Sequence, residues 1–133
     1  MVKKTFIVIF VLLFYLIPST LPFSGSGSGT SGDPYQITNC TQLQEMEDNI
    51  TADYKLMNNI NCSGTVNWNH NGSHYLGFDP VASYWNCQTQ DPHFNGTFDG
   101  NDYNITDLYI YRPANDSVGL FGCVKYAELF DVG

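Results

Sequence analysis

Positive charge is scarce in this chain. Lys and Arg number 5 against 13 Asp and Glu, a formal net charge of −8. Two of the five, Lys3 and Lys4, sit at the extreme N-terminus. Lys55, Arg112 and Lys125 are all that the remainder carries, so without the N-terminal pair the charge is −10. Such a surface repels nucleic acid and anionic lipid, and neither is expected as a partner. It suits solubility, cation-rich media or divalent-ion binding, and a solvated acidic surface is the simplest account. Long apolar runs are nearly missing as well. The one present, residues 6–17, is about a dozen residues, short of the ~20 that a spanning helix needs. Lys3 and Lys4 precede it, and Pro18, Ser19 and Thr20 follow it. That is the layout of a secretory signal peptide, read here over residues 1–24, with an uncleaved anchor as the alternative. The expected location is secreted or cell surface, with no membrane span after signal cleavage.

Several chemical signatures are also absent. No Cys-x-x-Cys occurs, so spacing gives no support to a zinc or redox site. There is no Ser-centred nucleophile elbow, no Gly-rich phosphate loop and no Cys-His pairing. His70, His74 and His93 lie in polar sequence, and nothing in their spacing makes a metal triad. No cofactor and no metal are expected. Asp99 and Asp102 flank Gly100-Asn101, and Asp107 follows. β-helix enzymes that cleave sugars use paired carboxylates on one face, which makes these the best catalytic candidates. An Asx-rich turn, in which Asp and Asn bond their own backbone, explains them more simply. An EF-hand loop does not, because it needs a Glu about twelve residues from its first ligand. No catalytic residue is assigned.

What is present is turn-rich β sequence. Residues 24–32 alternate Ser, Gly and Thr and read as a flexible linker, assigned to 25–32. The folded part, 33–133, is about a hundred residues, enough for one modest core. Residues 94–100 put β-type residues up to a Gly turn, and 104–111 read as an extended strand carrying Ile105, Leu108 and Ile110. Residues 118–122 close the block as a short apolar strand pinned by glycines. Strand, turn and strand at this spacing suit a coil-by-coil β architecture. One helix is expected, capped by Thr41, with Glu45 and Glu47 in its early turns and Leu43, Met46 and Ile50 on one face. It would cover the open end of a β stack. Residues 67–84 read as an irregular loop with Trp68, Phe78 and Trp85 partly folded in. Tyr75, Tyr84, Trp85, Tyr109 and Tyr111 could offer rings for stacking sugars, though core packing accounts for such residues too.

Cysteines and sequons both point outside the cell. Cys40, Cys62, Cys87 and Cys123 are even in number, which in an exported chain favours disulfides, and four cysteines allow three pairings. Cys40 and Cys62 each follow an apolar strand; if those strands lie side by side, their ends meet. Cys40–Cys62 is therefore favoured, and Cys87–Cys123 follows mostly by elimination. Closing the first loop adds ~3 kcal/mol in the chain-entropy picture. Asn39, Asn49, Asn61, Asn71, Asn95, Asn104 and Asn115 each begin Asn-x-Ser/Thr without Pro between. Chance would supply roughly two. All seven are candidate glycosylation sites, Asn71 the most loop-like, and some are expected to face inward.

A resemblance adds to this reading. Asp33-Pro34-Tyr35-Gln36-Ile37-Thr38, Leu43, Tyr54-Lys55-Leu56-Met57-Asn58-Asn59-Ile60, Phe78-Asp79-Pro80-Val81, Phe94-Asn95-Gly96-Thr97-Phe98-Asp99-Gly100 and Gly119-Leu120-Phe121-Gly122 occur in that order. The order resembles the N-terminal part of GLUG-motif surface proteins of archaea and bacteria. Where that pattern has Asp-Ile-Asp, this chain has Asn59-Ile60-Asn61, and a carboxylate that would bind a cation is missing. The resemblance implies a mainly β fold, a right-handed parallel β-helix of pectin-lyase-like type, here truncated with a short N-terminal cap helix. It also implies adhesion or envelope structure, and it defines no catalytic residues. The expected function is that of a secreted or cell-surface structural or adhesive glycoprotein, not an enzyme, acting by self-association or glycan contact. Its partners would be other copies or downstream repeats, met at an apolar C-terminal edge, and glycans. The alternative is a polysaccharide-acting β-helix lyase or hydrolase.

Overall fold

The computed structural model describes residues 22–83, 87 and 93–132. The signal segment therefore lies mostly outside the described residues, as do Tyr84 and Trp85. Among the described residues no helix is long and apolar enough to cross a membrane.

Among the described residues there are six short strands: β1 (Tyr35–Ile37), β2 (Asp53–Leu56), β3 (Ile60–Asn61), β4 (Thr97–Asp99), β5 (Ile105–Thr106) and β6 (Glu128–Phe130). β1, β2, β4 and β6 form one sheet in that order, every pair parallel. β3 and β5 form a second parallel pair, with Ile60 opposite Ile105. Isolated parallel bridges join Val81 to Phe121 and Phe94 to Val124. Parallel neighbours cannot be joined by tight hairpins, so each connection must travel away and return.

Register places like residues above one another. Tyr35 lies opposite Tyr54, Tyr54 opposite Phe98, and Phe98 opposite Leu129. Alternation along β2 buries Tyr54 and Leu56 and turns Lys55 outward. On the outer face Lys55 meets its cross-strand neighbour Asp99 at 2.8 Å. Inside, ring centroids run Tyr35–Tyr54 at 5.5 Å, Tyr54–Phe94 at 6.3 Å and Phe94–Phe121 at 4.7 Å. Tyr54, Phe78, Phe94 and Phe98 are among the largest fully buried side chains. The Tyr54 hydroxyl donates to the Asn49 carbonyl at 2.8 Å, so its polar atom is satisfied. Burial pushes that phenol well above its ordinary range.

The helix forms with different bounds from those expected. α1 spans Cys40–Gln44 and continues as a 3-10 turn over Glu45–Asn49. Its cap is Asn39, not Thr41. Asn39 is extended, and its side chain accepts from the Gln42 N–H at 3.0 Å. Leu43 and Met46 are fully buried as read, while Ile50 is only partly covered. Residues 104–111 also depart from a continuous strand. β5 stops at Thr106 because Asp107 takes a left-handed conformation, φ 56°.

The Gly/Ser segment is a larger correction. It is not a free linker but a strap laid against β1. Gln36 N–H donates to the Ser26 carbonyl, Asp53 N–H to the Gly29 carbonyl and Ser28 N–H to the Asp33 carbonyl. Phe23 packs on Tyr35 at 4.5 Å and on Tyr54 at 6.0 Å, and Ser24 N–H donates to Glu45. The folded body therefore reaches into the segment read as signal peptide, at Phe23 and Ser24. Small residues are required because the strap lies so close: Gly27, φ 94°, would drive a Cβ into the Pro34 carbonyl. Composition suggested flexibility; close approach is the other use of glycine.

Two outcomes check this account. Phe98→Ala should lower unfolding free energy by about 3–5 kcal/mol in denaturant titration, since it empties the middle of the stack. Phe23→Ala should release the strap, so limited proteolysis should cut within residues 25–32 of the variant while sparing the parent chain.

Candidate functional site: an exposed tyrosine face

The loop read over residues 67–84 folds back on itself. Leu76 N–H donates to the Asn69 carbonyl and Gly77 N–H to the Trp68 carbonyl. His70 and Tyr75 pair as an antiparallel bridge. Asn69, at φ 53°, donates its side-chain amide to the Gly77 carbonyl at 2.7 Å. The hairpin then lies beside residues 109–111. Phe78 N–H donates to the Tyr109 carbonyl, Tyr111 N–H donates to the Leu76 carbonyl, and Gly77 bridges Ile110. Gly77 is needed there: at φ 77° a Cβ would meet the Tyr109 carbonyl. Phe78 is fully buried beneath the hairpin, a deeper position than the sequence suggested, and Trp68 is half-buried.

This pairing gathers rings at the surface. Tyr75, Tyr109 and Tyr111 are 45%, 36% and 41% exposed. His70 stacks against Tyr75 at 4.6 Å and His74 meets Tyr111 edge-on at 5.6 Å. Tyr109 is held from beneath, its N–H donating to the hydroxyl of fully buried Thr65 at 2.9 Å. An exposed ring with a fixed backbone offers an apolar face and a polar tip, the combination that receives the C–H face and hydroxyls of a sugar. Of the five aromatic residues singled out from sequence, Tyr75, Tyr109 and Tyr111 are exposed on the hairpin and on the segment it pairs with. Tyr84 and Trp85 lie outside the described residues.

The other candidates are dispersed. Asp99 pairs with Lys55 and accepts from the Asn101 N–H at 2.8 Å. Asn101 and Asp102 are left-handed, φ 49° and 60°, an Asx turn. Asp107 accepts from the Asn61 amide at 2.6 Å. His93 contacts the Cys87 carbonyl. Among the described residues no group of three His, Cys, Asp or Glu could hold a metal ion. All seven sequon asparagines, Asn39, Asn49, Asn61, Asn71, Asn95, Asn104 and Asn115, are exposed. The expectation that some face inward fails, and Asn104 is as open in this sense as Asn71. Cys40–Cys62 and Cys87–Cys123 are bridged, with Cα separations of 5.7 and 5.3 Å.

One cluster escaped the sequence reading. Gln44 clamps the Asp79 backbone, donating to its carbonyl at 2.9 Å and accepting from its N–H at 2.8 Å. The same amide donates to Glu47 at 3.0 Å, and Arg112 pairs with Asp79 at 3.0 Å. Desolvation first, and then the Asp79 charge, raise Glu47 to about 7, against an opposing pull from Arg112. The available signal was that Arg112 is the only Arg of an acidic chain.

The chain matches no known protein family, and no solved structure matches it. It is similar to Halomucin of the haloarchaeon Haloquadratum walsbyi, 38% identical over 111 residues. The match covers 80% of this chain and 1% of that protein. The chain is thus a homologue of a short part of a haloarchaeal protein and spans a very small fraction of the length of that curated relative.

The raised Glu47 has a pH signature. Its acid form is favoured in the fold, so the stability it contributes is present below pH 4.5 and is lost as pH rises through about 7. Glu47→Gln keeps the acceptor for Gln44 and removes the titration. Thermal midpoints followed across that window should fall less steeply in the variant and be higher than the parent's above it.

Proposed function

We propose that the chain is a segment of an exported, cell-surface glycoprotein with a structural or adhesive role. In this reading its strands are coils of a parallel β-helix, as the GLUG-type order of motifs implies, and the α1 helix caps one end. The observation that carries it is the division of the molecule: a parallel ladder inside, and seven exposed sequon asparagines outside. The similarity to a protein named Halomucin supports a mucin-like, surface-associated setting.

The tyrosine face supplies glycan contact. Its rings are solvent-facing but backbone-anchored, so a sugar can stack without first ordering a loop. Self-association is assigned to the β6 edge. Leu129 and Phe130 are 42% and 43% exposed on that strand, the last of its sheet among the described residues. Another copy or further repeats would continue the ladder there. The reading is non-enzymatic: Asp99 and Asp107 are engaged by Lys55 and Asn61 rather than facing one another across a cleft.

The test is binding of the purified chain to a panel of oligosaccharides. Tyr75→Ala and Tyr111→Ala should each weaken the best ligand by ~1 kcal/mol, about fivefold. Tyr103→Ala, away from the hairpin, should not. Affinity unchanged in both face variants would remove the glycan-contact reading.

A further inference from the structure

Two of the seven sequons share an unusual feature. In Asn39-Cys40-Thr41 and Asn61-Cys62-Ser63 the middle residue is a cysteine, and these two cysteines are bonded to each other. We propose that oxidation of Cys40 and Cys62 closes both sequons to glycan transfer, so that the redox state of this one bond decides whether Asn39 and Asn61 can carry sugar. The proposal rests on the glycoprotein reading above and deepens it.

Transfer makes demands on the acceptor. The Asn Nδ2 attacks the anomeric carbon of an activated, lipid-linked sugar phosphate. The C–O bond to phosphate breaks, the phosphate leaves as an anion, and the amide proton passes to a base on the transferase. The tripeptide must be drawn out of its own fold with its carboxamide free. Exposure of the Asn is not enough; its neighbours must be able to follow, which is a local-unfolding cost.

Both sequons are held against such movement. Asn39 uses its side-chain oxygen to cap α1 through the Gln42 N–H, and Thr41 already lies in the helix. Asn61 lies in β3 opposite Thr106 and donates to Asp107 at 2.6 Å, while its oxygen accepts from the Ser63 N–H at 3.0 Å. Cys62 N–H donates to the Thr106 carbonyl at 2.8 Å. Cys40 and Cys62 are 9% and 1% exposed. The bond between them ties each tripeptide to the other, so neither can leave alone. Both asparagines border the hollow that contains the bond, together with Trp68.

Asn71 shares the engaged side-chain oxygen but not the tether. Its sequon, Asn71-Gly72-Ser73, is exposed throughout at the hairpin tip, with no cysteine and no ladder. Among the described residues its hydrogen bonds stay within the turn: its side-chain oxygen accepts from the Ser73 and His74 N–H groups, and its own N–H donates to the His74 carbonyl. It should accept glycan whatever the redox state. Reduction of the Cys40–Cys62 bond by a dithiol takes two electrons and two protons to give two thiols. Thiol–disulfide exchange with an exported disulfide catalyst reverses this.

The experiment is transfer in vitro to the full chain, using an Asn-x-Ser/Thr oligosaccharyltransferase and lipid-linked donor, with occupancy read site by site by mass spectrometry. Three forms are compared: oxidised parent, Cys40→Ser/Cys62→Ser and Cys87→Ser/Cys123→Ser. The first double variant keeps both sequons intact. The expected result is glycan at Asn71 in all three. Asn39 and Asn61 should be bare in the parent and in Cys87→Ser/Cys123→Ser, and rise to the Asn71 level only in Cys40→Ser/Cys62→Ser. Glycan at Asn39 or Asn61 of the oxidised parent at the Asn71 level overturns the proposal. So does equal opening in both double variants, which would mean that general unfolding is in control. Bare Asn39 and Asn61 in Cys40→Ser/Cys62→Ser overturn it as well; if Asn71 is bare too, the glycoprotein reading falls with it.

Discussion

Everything in this molecule hangs on one in-register parallel ladder. Tyr35, Tyr54, Phe98 and Leu129 sit opposite one another on successive strands. A one-residue slip of β2 or β4 would turn the buried ring of Tyr54 or Phe98 to solvent and bring Lys55 or Asp99 inside. The hydrophobic pattern and the backbone hydrogen bonds therefore select the same register. The salt bridge between Lys55 and Asp99 on the outer face agrees with that register without being strong enough to impose it, since partly exposed pairs contribute little.

Parallel pairing has a cost in connections. Each strand returns to its neighbour only after a long excursion, and a chain of this size has little core with which to hold those excursions. Cys40–Cys62 ties the segment after β1 to the segment after β2, and Cys87–Cys123 ties two later excursions. Loop closures of 22 and 36 residues restrict the unfolded chain by about 3–4 kcal/mol each in the entropy picture. The N-terminal strap works in the same direction by covering the Tyr35 edge with Phe23. The β6 edge has no such cover among the described residues.

The surface divides by chemistry. Some acidic residues, such as Asp102, lie in turns, while Asp53 and Asp99 lie in strands and Asp99 pairs with Lys55 across the ladder. Sequon asparagines recur at similar places because the same residues favour turns. At Asn39 and Asn61 the two roles meet: each side chain is at once a local structural device and an acceptor. The tyrosine face, in contrast, is built from two segments far apart in sequence and depends on the hairpin docking against residues 109–111.

Short-range patterns were legible in the sequence. Alternation in Asp53–Leu56, the apolar positions Leu43 and Met46, the turn at Gly100-Asn101 and the cysteine partners could all be read there. Each depends on neighbours along the chain or on strand ends meeting. The cap at Asn39 was misread because Asn39 and Thr41 are both good caps, and only the backbone conformation chooses between them. The strap was misread because glycine serves flexibility and close approach alike, and composition does not distinguish them. Gln44 with Asp79, Asp79 with Arg112, and His74 against Tyr111 were invisible. Their proximity is decided by where long connections close, and no local periodicity encodes that. The sequence by itself determined the charge, the sequons and which residues prefer to be buried. Tertiary structure alone decided which distant side chains meet, because contact between them follows from the register of the ladder and the return paths of its loops.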